Sequence, residues 1–239
     1  MRIAGGLLGV STKRINGFKA SGMWSITDAQ VETGDYNFPK PPPVPGYIGW
    51  YTGDSFSGTT WTDLSGNANN ASVTRGTVTK VTTTGNGARS SFTTLQGATT
   101  DGLLFPAAIL PSTYTLFHVT RYTGGARARI VTGTVNNWLS GHWSGTTGVA
   151  YHEGWVTGQP DNHQNYWLIS TDQVNLYRSN KVTRGTTGGT ASTRLTVNAG
   201  QFAEYSDWQC AEIIVYNTAL SGTDYVAVEE YLAKKYGLT

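Results

Sequence analysis

From Tyr47 onward, short runs of apolar and β-branched residues recur along the chain, separated by clusters of Gly, Asn, Ser and Asp. Runs of that length, broken at turn formers, predict the strands of an antiparallel sandwich. They fall at 47–52, 73–81, 103–105, 113–122, 128–134, 137–140, 148–152, 166–171, 174–178, 194–197 and 208–216. In the run 113–122, Thr115, Phe117, Val119 and Arg121 alternate with Leu116, His118, Thr120 and Tyr122. Both faces carry bulky groups, which predicts a central strand. Ser65-Gly66-Asn67, Gly85-Asn86-Gly87, Gly124-Gly125 and Gly188-Gly189 supply the tight or left-handed backbone of hairpin turns. The period changes once. Tyr225, Val228, Leu232 and Lys235 fall at helical spacing, Ser221 and Asp224 make a capping-box-like start, and Lys234, Lys235 and Gly237 suit a C-terminus. A helix over about 222–236 is predicted to pack on the sandwich.

Ahead of this pattern, Pro39-Lys40-Pro41-Pro42-Pro43-Val44-Pro45 favours polyproline II and lacks the amide donors of a helix or central strand. It divides the chain into an arm, 1–38, a proline-rich linker, 39–46, and a sandwich domain, 47–239. The arm is rich in glycine, with scattered large side chains, and cannot bury a core of its own. It is read either as a disordered terminus or as a peg that orders on docking, with Met23, Trp24 and Ile26 as its anchor. The apolar run Ile3 to Val10 imitates a signal peptide but has no Ala-x-Ala-like cleavage site after it. No apolar stretch approaches the roughly 20 residues that span a bilayer, so no membrane anchor is expected.

Composition narrows the classes further. Only 13% of the 239 residues are charged, and 17 basic residues against 15 acidic ones leave a net charge of +2. No field of that size gathers phosphates, so nucleic acid is not an expected partner. Cys210 stands alone, which excludes an intrachain disulfide and a thiolate zinc site.

Three stretches carry a resemblance. The first is Trp61-Thr62-Asp63-Leu64-Ser65-Gly66-Asn67 with Asn69-Asn70-Ala71; the second is Phe117-His118-Val119 through Ile130, with Leu176-Tyr177-Arg178-Ser179-Asn180. The third is Glu212-Ile213-Ile214-Val215-Tyr216-Asn217, Leu220-Ser221 and Glu229-Glu230-Tyr231-Leu232-Ala233-Lys234-Lys235-Tyr236-Gly237. Together, over about 47–239, they resemble laminin-G-like, concanavalin A-like jelly rolls. The resemblance implies an all-β fold of two packed antiparallel sheets, and a function among carbohydrate binding, protein binding and glycan hydrolysis. It also implies that Asp63 and Asn67 to Asn70 shape a loop by capping backbone groups. Gly22-Met23-Trp24-Ser25 looks like short segments of phage structural proteins.

Candidate chemistry concentrates between Asn136 and Trp167, where Trp138, Trp143, Trp155, Trp167, Tyr151 and Tyr166 interleave with histidines, amides and acids. Flat aromatic faces stack on sugar C–H surfaces and amide or carboxylate groups bond hydroxyls, so this mixture suits a glycan groove. The same tryptophans also suit a sandwich core. If 148–155 stays extended, Val149, Tyr151 and Glu153 share one face and Ala150, His152 and Gly154 the other. Trp143 and Trp155 are expected at the surface, Trp138 and Trp167 in the core. The candidate ligand-binding set is His142, Trp143, Tyr151, Glu153, Trp155, Asn162 and Asn165.

Catalysis is not expected. The Glu-x-Asp-x-x-Glu pattern of jelly-roll glucanases is absent, although Glu153 with Asp161, or Glu204 with Asp207, could meet across loops. The histidines show no metal-ligand spacing and no Gly-x-Ser-x-Gly elbow occurs. No cofactor is expected. Calcium is the one metal the resemblance raises, with Asp54, Asp101 and Asp161-Asn162 as contributors and no ligand set defined. A glycan-binding domain without an evident export signal, preceded by an arm and spacer, points to a virion surface protein. It would be a capsid decoration or fibre component, held to a capsid or tail protein by its arm, touching glycans with its jelly roll, and open to homo-oligomeric assembly as particle components are. The alternatives are a secreted, extracellular carbohydrate-binding adhesin, a glycoside hydrolase and a purely structural decoration protein.

Overall fold

The computed structural model describes residues 40–158, 160–163, 165–189 and 193–238. The chain divides into units at Pro41/Pro42, and the second unit, Pro42–Thr239, is the sandwich. The expected arm, with Met23, Trp24 and Ile26, lies outside the described residues.

Among the described residues sixteen strands build two antiparallel sheets: β1 (Tyr47–Thr52), β2 (Phe56–Ser57), β3 (Thr60–Trp61), β4 (Ala71–Arg75), β5 (Thr79–Gly85), β6 (Ala88–Gly97), β7 (Gly102–Leu104), β8 (Thr115–Tyr122), β9 (Val131–Gly133), β10 (Trp138–Trp143), β11 (Thr146–His152), β12 (Leu168–Gln173), β13 (Leu176–Ser179), β14 (Val182–Gly185), β15 (Leu195–Val197) and β16 (Trp208–Tyr216). One sheet runs β14-β13-β12-β8-β16-β6-β5, with β1 also on β16; the other runs β11-β10-β9-β15-β7-β4-β3-β2. The one α-helix among the described residues, α1 (Gly222–Tyr236), covers the outer face of the first sheet. The fold is the concanavalin A-like jelly-roll sandwich that the sequence predicts. No helix of the described residues is long and apolar enough to cross a membrane.

The middle of the first sheet is therefore buried on both faces, and β16 there has no exposed residue. Trp208 and Cys210 point into the space between the sheets; a bulge between Cys210 and Glu212 then shifts the alternation by one. Beyond it Ile213 and Val215 face the inter-sheet core, while Ala211, Ile214 and Tyr216 face the helix. The same flank of β16 is shared by β6, paired at 208–210, and β1, paired at 212–216. The chain leaves β1 over β6 at Gly53, where any Cβ would overlap the Thr93 carbonyl. Only glycine permits that crossing.

α1 begins at Ser221, whose Oγ accepts the Asp224 amide, and ends at Gly237, left-handed at φ 61°. Its inner face carries Val228, Leu232, Ala233 and Tyr236. Two buried carboxylates tie it down. Glu229 receives Arg178 through Nε at 2.8 Å and Nη2 at 3.0 Å, and the Thr171 hydroxyl at 2.8 Å. Glu212, fully buried on β16, accepts from Trp50 Nε1 at 2.7 Å, Lys235 Nζ at 2.6 Å, Tyr236 Oη at 2.5 Å and Tyr231 Oη at 3.3 Å. Those neighbours hold the charge where solvent cannot.

Several expectations need correction. The run 73–81 is two strands, β4 and β5, in different sheets, parted at Gly76 with φ +56°. The hairpin turn at Asn86-Gly87 is present, but its second strand, β6, carries three exposed polar residues and no apolar run to announce it. The second half of the proline-rich linker belongs to the sandwich unit: Pro42 is buried, and Val44 packs on the helix-side cluster while its carbonyl accepts the Tyr216 hydroxyl at 2.8 Å. The loop expectation holds. Asp63 accepts from the amides of Trp50, Ser65 and Asn69, each at 2.9 Å, and Asn69 Nδ2 donates to the Ile48 carbonyl at 2.8 Å.

Glu212→Ala leaves Lys235, Trp50 and Tyr236 without their common acceptor and is expected to cost about 3–5 kcal/mol in urea unfolding, with Glu212→Gln costing less. A loss under about 1 kcal/mol for the alanine variant would remove Glu212 as the tie between helix and sheet.

Candidate functional site

The groove forms on the outer face of the second sheet, where β10 and β11 make its edge. Alternation along β10 sends Trp138, Ser140 and His142 inward and Leu139 and Trp143 outward. The β10–β11 bulge falls on β11, where Gly148 at φ +73° has no residue opposite it; across from it Gly141, at φ +90°, runs so close to His118 that a Cβ would lie 2.6 Å from Cε1. On β11, Tyr151 faces out opposite Leu139, and His152 faces in opposite Trp138. The chain then reverses at Glu153, which adopts φ +56°. The Gly154 carbonyl accepts the His152 amide at 2.8 Å, the Val156 amide donates to the Ala150 carbonyl at 3.1 Å, and Trp155 pairs with Tyr151. Trp155 is thereby brought back over the sheet.

The result is a groove of about 240 Å³ lined by Arg129, Asn137, Leu139, Trp143, Tyr151 and Trp155. Trp155 meets Trp143 edge-on at 5.2 Å and Tyr151 edge-on at 5.1 Å, yet remains 46% exposed. Mutual edge contacts of this kind fix the rings without side-chain entropy left to lose on binding. The polar wall is equally fixed. Arg129, 6% exposed, gives Nη1 to Asn137 Oδ1 at 2.8 Å and lies over the Phe202 ring at 4.8 Å. Its Nε meets Glu204 Oε2 as an ion pair without the alignment of a hydrogen bond. Glu153 exchanges two bonds with Asn137: its amide donates to the Asn137 carbonyl at 2.9 Å, and its carboxylate accepts the Asn137 amide at 2.6 Å. These bonds hold the left-handed turn that presents Trp155.

Of the seven expected ligand-binding residues, Trp143, Tyr151 and Trp155 come together in the groove, and Glu153 stands beside it, bonded to Asn137. His142 does not contribute. Its ring is fully buried at 4.7 Å from Tyr122, and neither nitrogen has a hydrogen-bond partner. Burial without a partner drives its pKa down to about 3. The expectation that it faces ligand fails because β10 continues through Gly141 and strict alternation from Trp138 carries it inward. Asn162 and Asn165 lie elsewhere: the Asn162 amide donates to the Thr147 carbonyl, and Asn165 accepts Arg127 Nη2 at 2.8 Å. Trp138 and Trp167 are core residues, as expected. Arg129, Asn137 and Leu139 enter the site unannounced. Leu139 and Trp143 share a parity along β10, a signal the pattern contained; Arg129 depends on Glu204, far along the chain.

Three further acids that the sequence raised, Asp161, Asp101 and Asp207, are engaged, while Asp54 is exposed just after β1. Asp161 accepts from Ser179 Oγ at 3.0 Å and Asn180 Nδ2 at 2.8 Å, and pairs with Arg184 at 3.2 Å and with His163. Asp101 accepts the amides of Thr77 at 3.0 Å and Ala98 at 2.8 Å; Asp207 accepts the Ala126 amide at 3.1 Å. Among the described residues no group of three or more His, Cys, Asp or Glu side chains could hold a metal ion.

No protein-family model matches the sequence, and no curated protein sequence matches it. The likeness is to solved structures. Domain 4 of AbnA, an extracellular GH43 arabinanase from Geobacillus stearothermophilus solved with arabinotriose, superposes with a TM-score of 0.56 at 14% identity over 77% of this chain and 98% of that domain. The Trypanosoma rangeli sialidase, solved with the inhibitor DANA, gives 0.56 at 14% identity over 86% of this chain. The binding domain of Paraclostridial Mosquitocidal Protein 1 gives 0.53 at 15% identity over 80%. The chain spans 36% of the sialidase and 52% of the toxin domain. At these identities the likeness is one of fold.

His142 supplies a test of the interior. An unfolded histidine, ordinarily near pKa 6.5, takes up its proton before the folded one near 3, so stability is lost as pH falls from about 6.5 towards 3. His142→Leu should narrow the difference in urea-unfolding free energy between pH 7 and pH 4.5 by roughly 2–3 kcal/mol. An unchanged pH profile would show that the imidazole is not buried neutral.

Proposed function

We propose that this sandwich is a non-enzymatic carbohydrate-binding domain whose ligand lies in the groove around Trp155. The observation that carries the reading is the exposed indole of Trp155, pinned edge-on between Trp143 and Tyr151 above Leu139, with the N–H groups of Arg129 and Asn137 on the same wall. A pyranose or furanose offers both an apolar C–H face and hydroxyls, and the groove answers each with matching chemistry. The likeness in fold to an arabinanase domain solved with arabinotriose supports the reading.

Hydrolysis is the weaker alternative. Glu153 is bonded to Asn137, Asp161 to Ser179 and Asn180, Glu204 is paired with Arg129, and Asp207 holds the Ala126 amide. Such carboxylates are occupied in holding loops, while glycosidases need a free pair across the scissile bond. The setting we propose is display at a virion surface, as a capsid decoration or fibre component; its support is the arm-and-proline organisation of the sequence. An extracellular adhesin would use the same groove.

A glycan array with the full chain, with and without Ca²⁺, tests the reading. Trp155→Ala and Trp143→Ala, shown to be folded by near-UV circular dichroism, should each weaken the bound glycans about tenfold or more, equivalent to about 1.4 kcal/mol. Binding by neither wild type nor variants would move the protein to the purely structural alternative, and release of reducing sugar would establish the hydrolase.

A further inference from the structure

We infer that the groove selects uncharged sugars, because the one cation on its lining among the described residues has Nε and Nη1 engaged within the protein. The inference rests on the carbohydrate-binding reading and concerns which sugars that site accepts. Among the described residues, Arg129 is the one on the groove lining that carries a formal charge. Recognition of a uronic or sialic carboxylate by arginine uses the guanidinium fork, two parallel N–H groups offered to two oxygens. Here Nε is set against Glu204 and Nη1 is given to Asn137 Oδ1, while the plane is held on the Phe202 ring. Two of the three guanidinium nitrogens, Nε and Nη1, are thus engaged before a ligand arrives, which leaves no pair of parallel N–H groups uncommitted.

The charges around the groove point the same way. Glu204, with its side chain 43% exposed, neutralises Arg129 from one side, and Glu153 fixes a second carboxylate on the Asn137 amide at the other. Arg127, the nearby cation whose carbonyl accepts the Gly145 amide below the β10–β11 turn, directs its guanidinium to the Gly124 carbonyl and Asn165. An anionic sugar would thus meet two carboxylates against one guanidinium, a repulsion strongest at low salt because both acids are exposed. A neutral sugar meets no such penalty. Its hydroxyls need single donors and no fork, which Nη2 of Arg129 and the side-chain amide of Asn137 supply, while its C–H face lies on Trp155. Glu204 therefore acts on specificity through Arg129, as a positioning and neutralising residue.

The test is an array of neutral glycans with their sialylated and uronic-acid counterparts, probed with the full chain, Glu204→Gln and Glu204→Asp. The wild type should favour the neutral member of each bound pair by about tenfold or more. Glu204→Gln, which keeps the side-chain shape and the Glu204 carbonyl that accepts the Arg129 amide at 3.2 Å, should cut that preference to about threefold or less, most strongly at low salt. Glu204→Asp, which keeps the charge, should retain the preference. Wild-type preference for acidic members, or an unchanged ratio in Glu204→Gln, overturns the inference while leaving carbohydrate binding intact. An empty array for the wild type and every variant overturns the carbohydrate reading itself, and the inference with it.

Discussion

A sheet covered on both faces has no solvent side on which to place polar groups, and β16 sits at the middle of such a sheet. The inter-sheet core claims one of its faces and α1 the other, so nine consecutive residues are buried. The bulge between Cys210 and Glu212 lets a single strand serve both layers, because it changes which parity faces which layer partway along. Glu212 falls just beyond the bulge and gathers Trp50, Tyr231, Lys235 and Tyr236. A carboxylate in that position tolerates one arrangement of helix on sheet, since any slip of α1 along its axis would leave a buried charge without its partners.

The inter-sheet space is filled unevenly. Around Trp61, Phe105, Tyr51 and Leu103 it is aromatic and aliphatic. Beneath β10 and β11 it turns polar: His118 bridges Thr120 at 2.8 Å and Ser140 at 3.1 Å, Ser170 donates to the Tyr177 hydroxyl at 3.0 Å, and His152, stacked on Trp138 at 5.3 Å, meets Asp172 at 3.2 Å. Tyr114 also donates to Asp172, at 3.0 Å. A polar interior demands specific partners where an apolar one demands only volume. The stretch of sheet that carries the groove is thus held by directional bonds from below, and His142 is the one histidine of that interior left without them.

Much of this architecture is legible in the chain. β8, β16 and α1 announce themselves because their periodicity comes from burial on known sides, and the Asp63 loop because Asp, Ser and Asn bond their own backbone. β6 is not legible, since its first half faces water and carries Arg89, Ser90 and Ser91, a pattern that polar turns share. The run 73–81 reads as one strand because Gly76 interrupts nothing in its hydropathy while redirecting the backbone between sheets. The aromatic half of the site follows from Tyr151, Trp143 and Trp155. Its polar half does not, because Arg129 reaches its place through Glu204 and Asn137, partners brought near only by the finished fold.

The reversal at Glu153 does more than present an indole. Sheets end in strands whose unpaired amides and carbonyls invite another chain, and β11 is such an end. The returning segment 154–156 lies along that flank and takes up the His152 amide and the Ala150 carbonyl. The wall of the groove is therefore also an edge guard, shielding the second sheet from strand addition by a neighbouring molecule. Variation in this turn carries two consequences at once, for what the surface recognises and for whether the molecules stay apart at high local concentration.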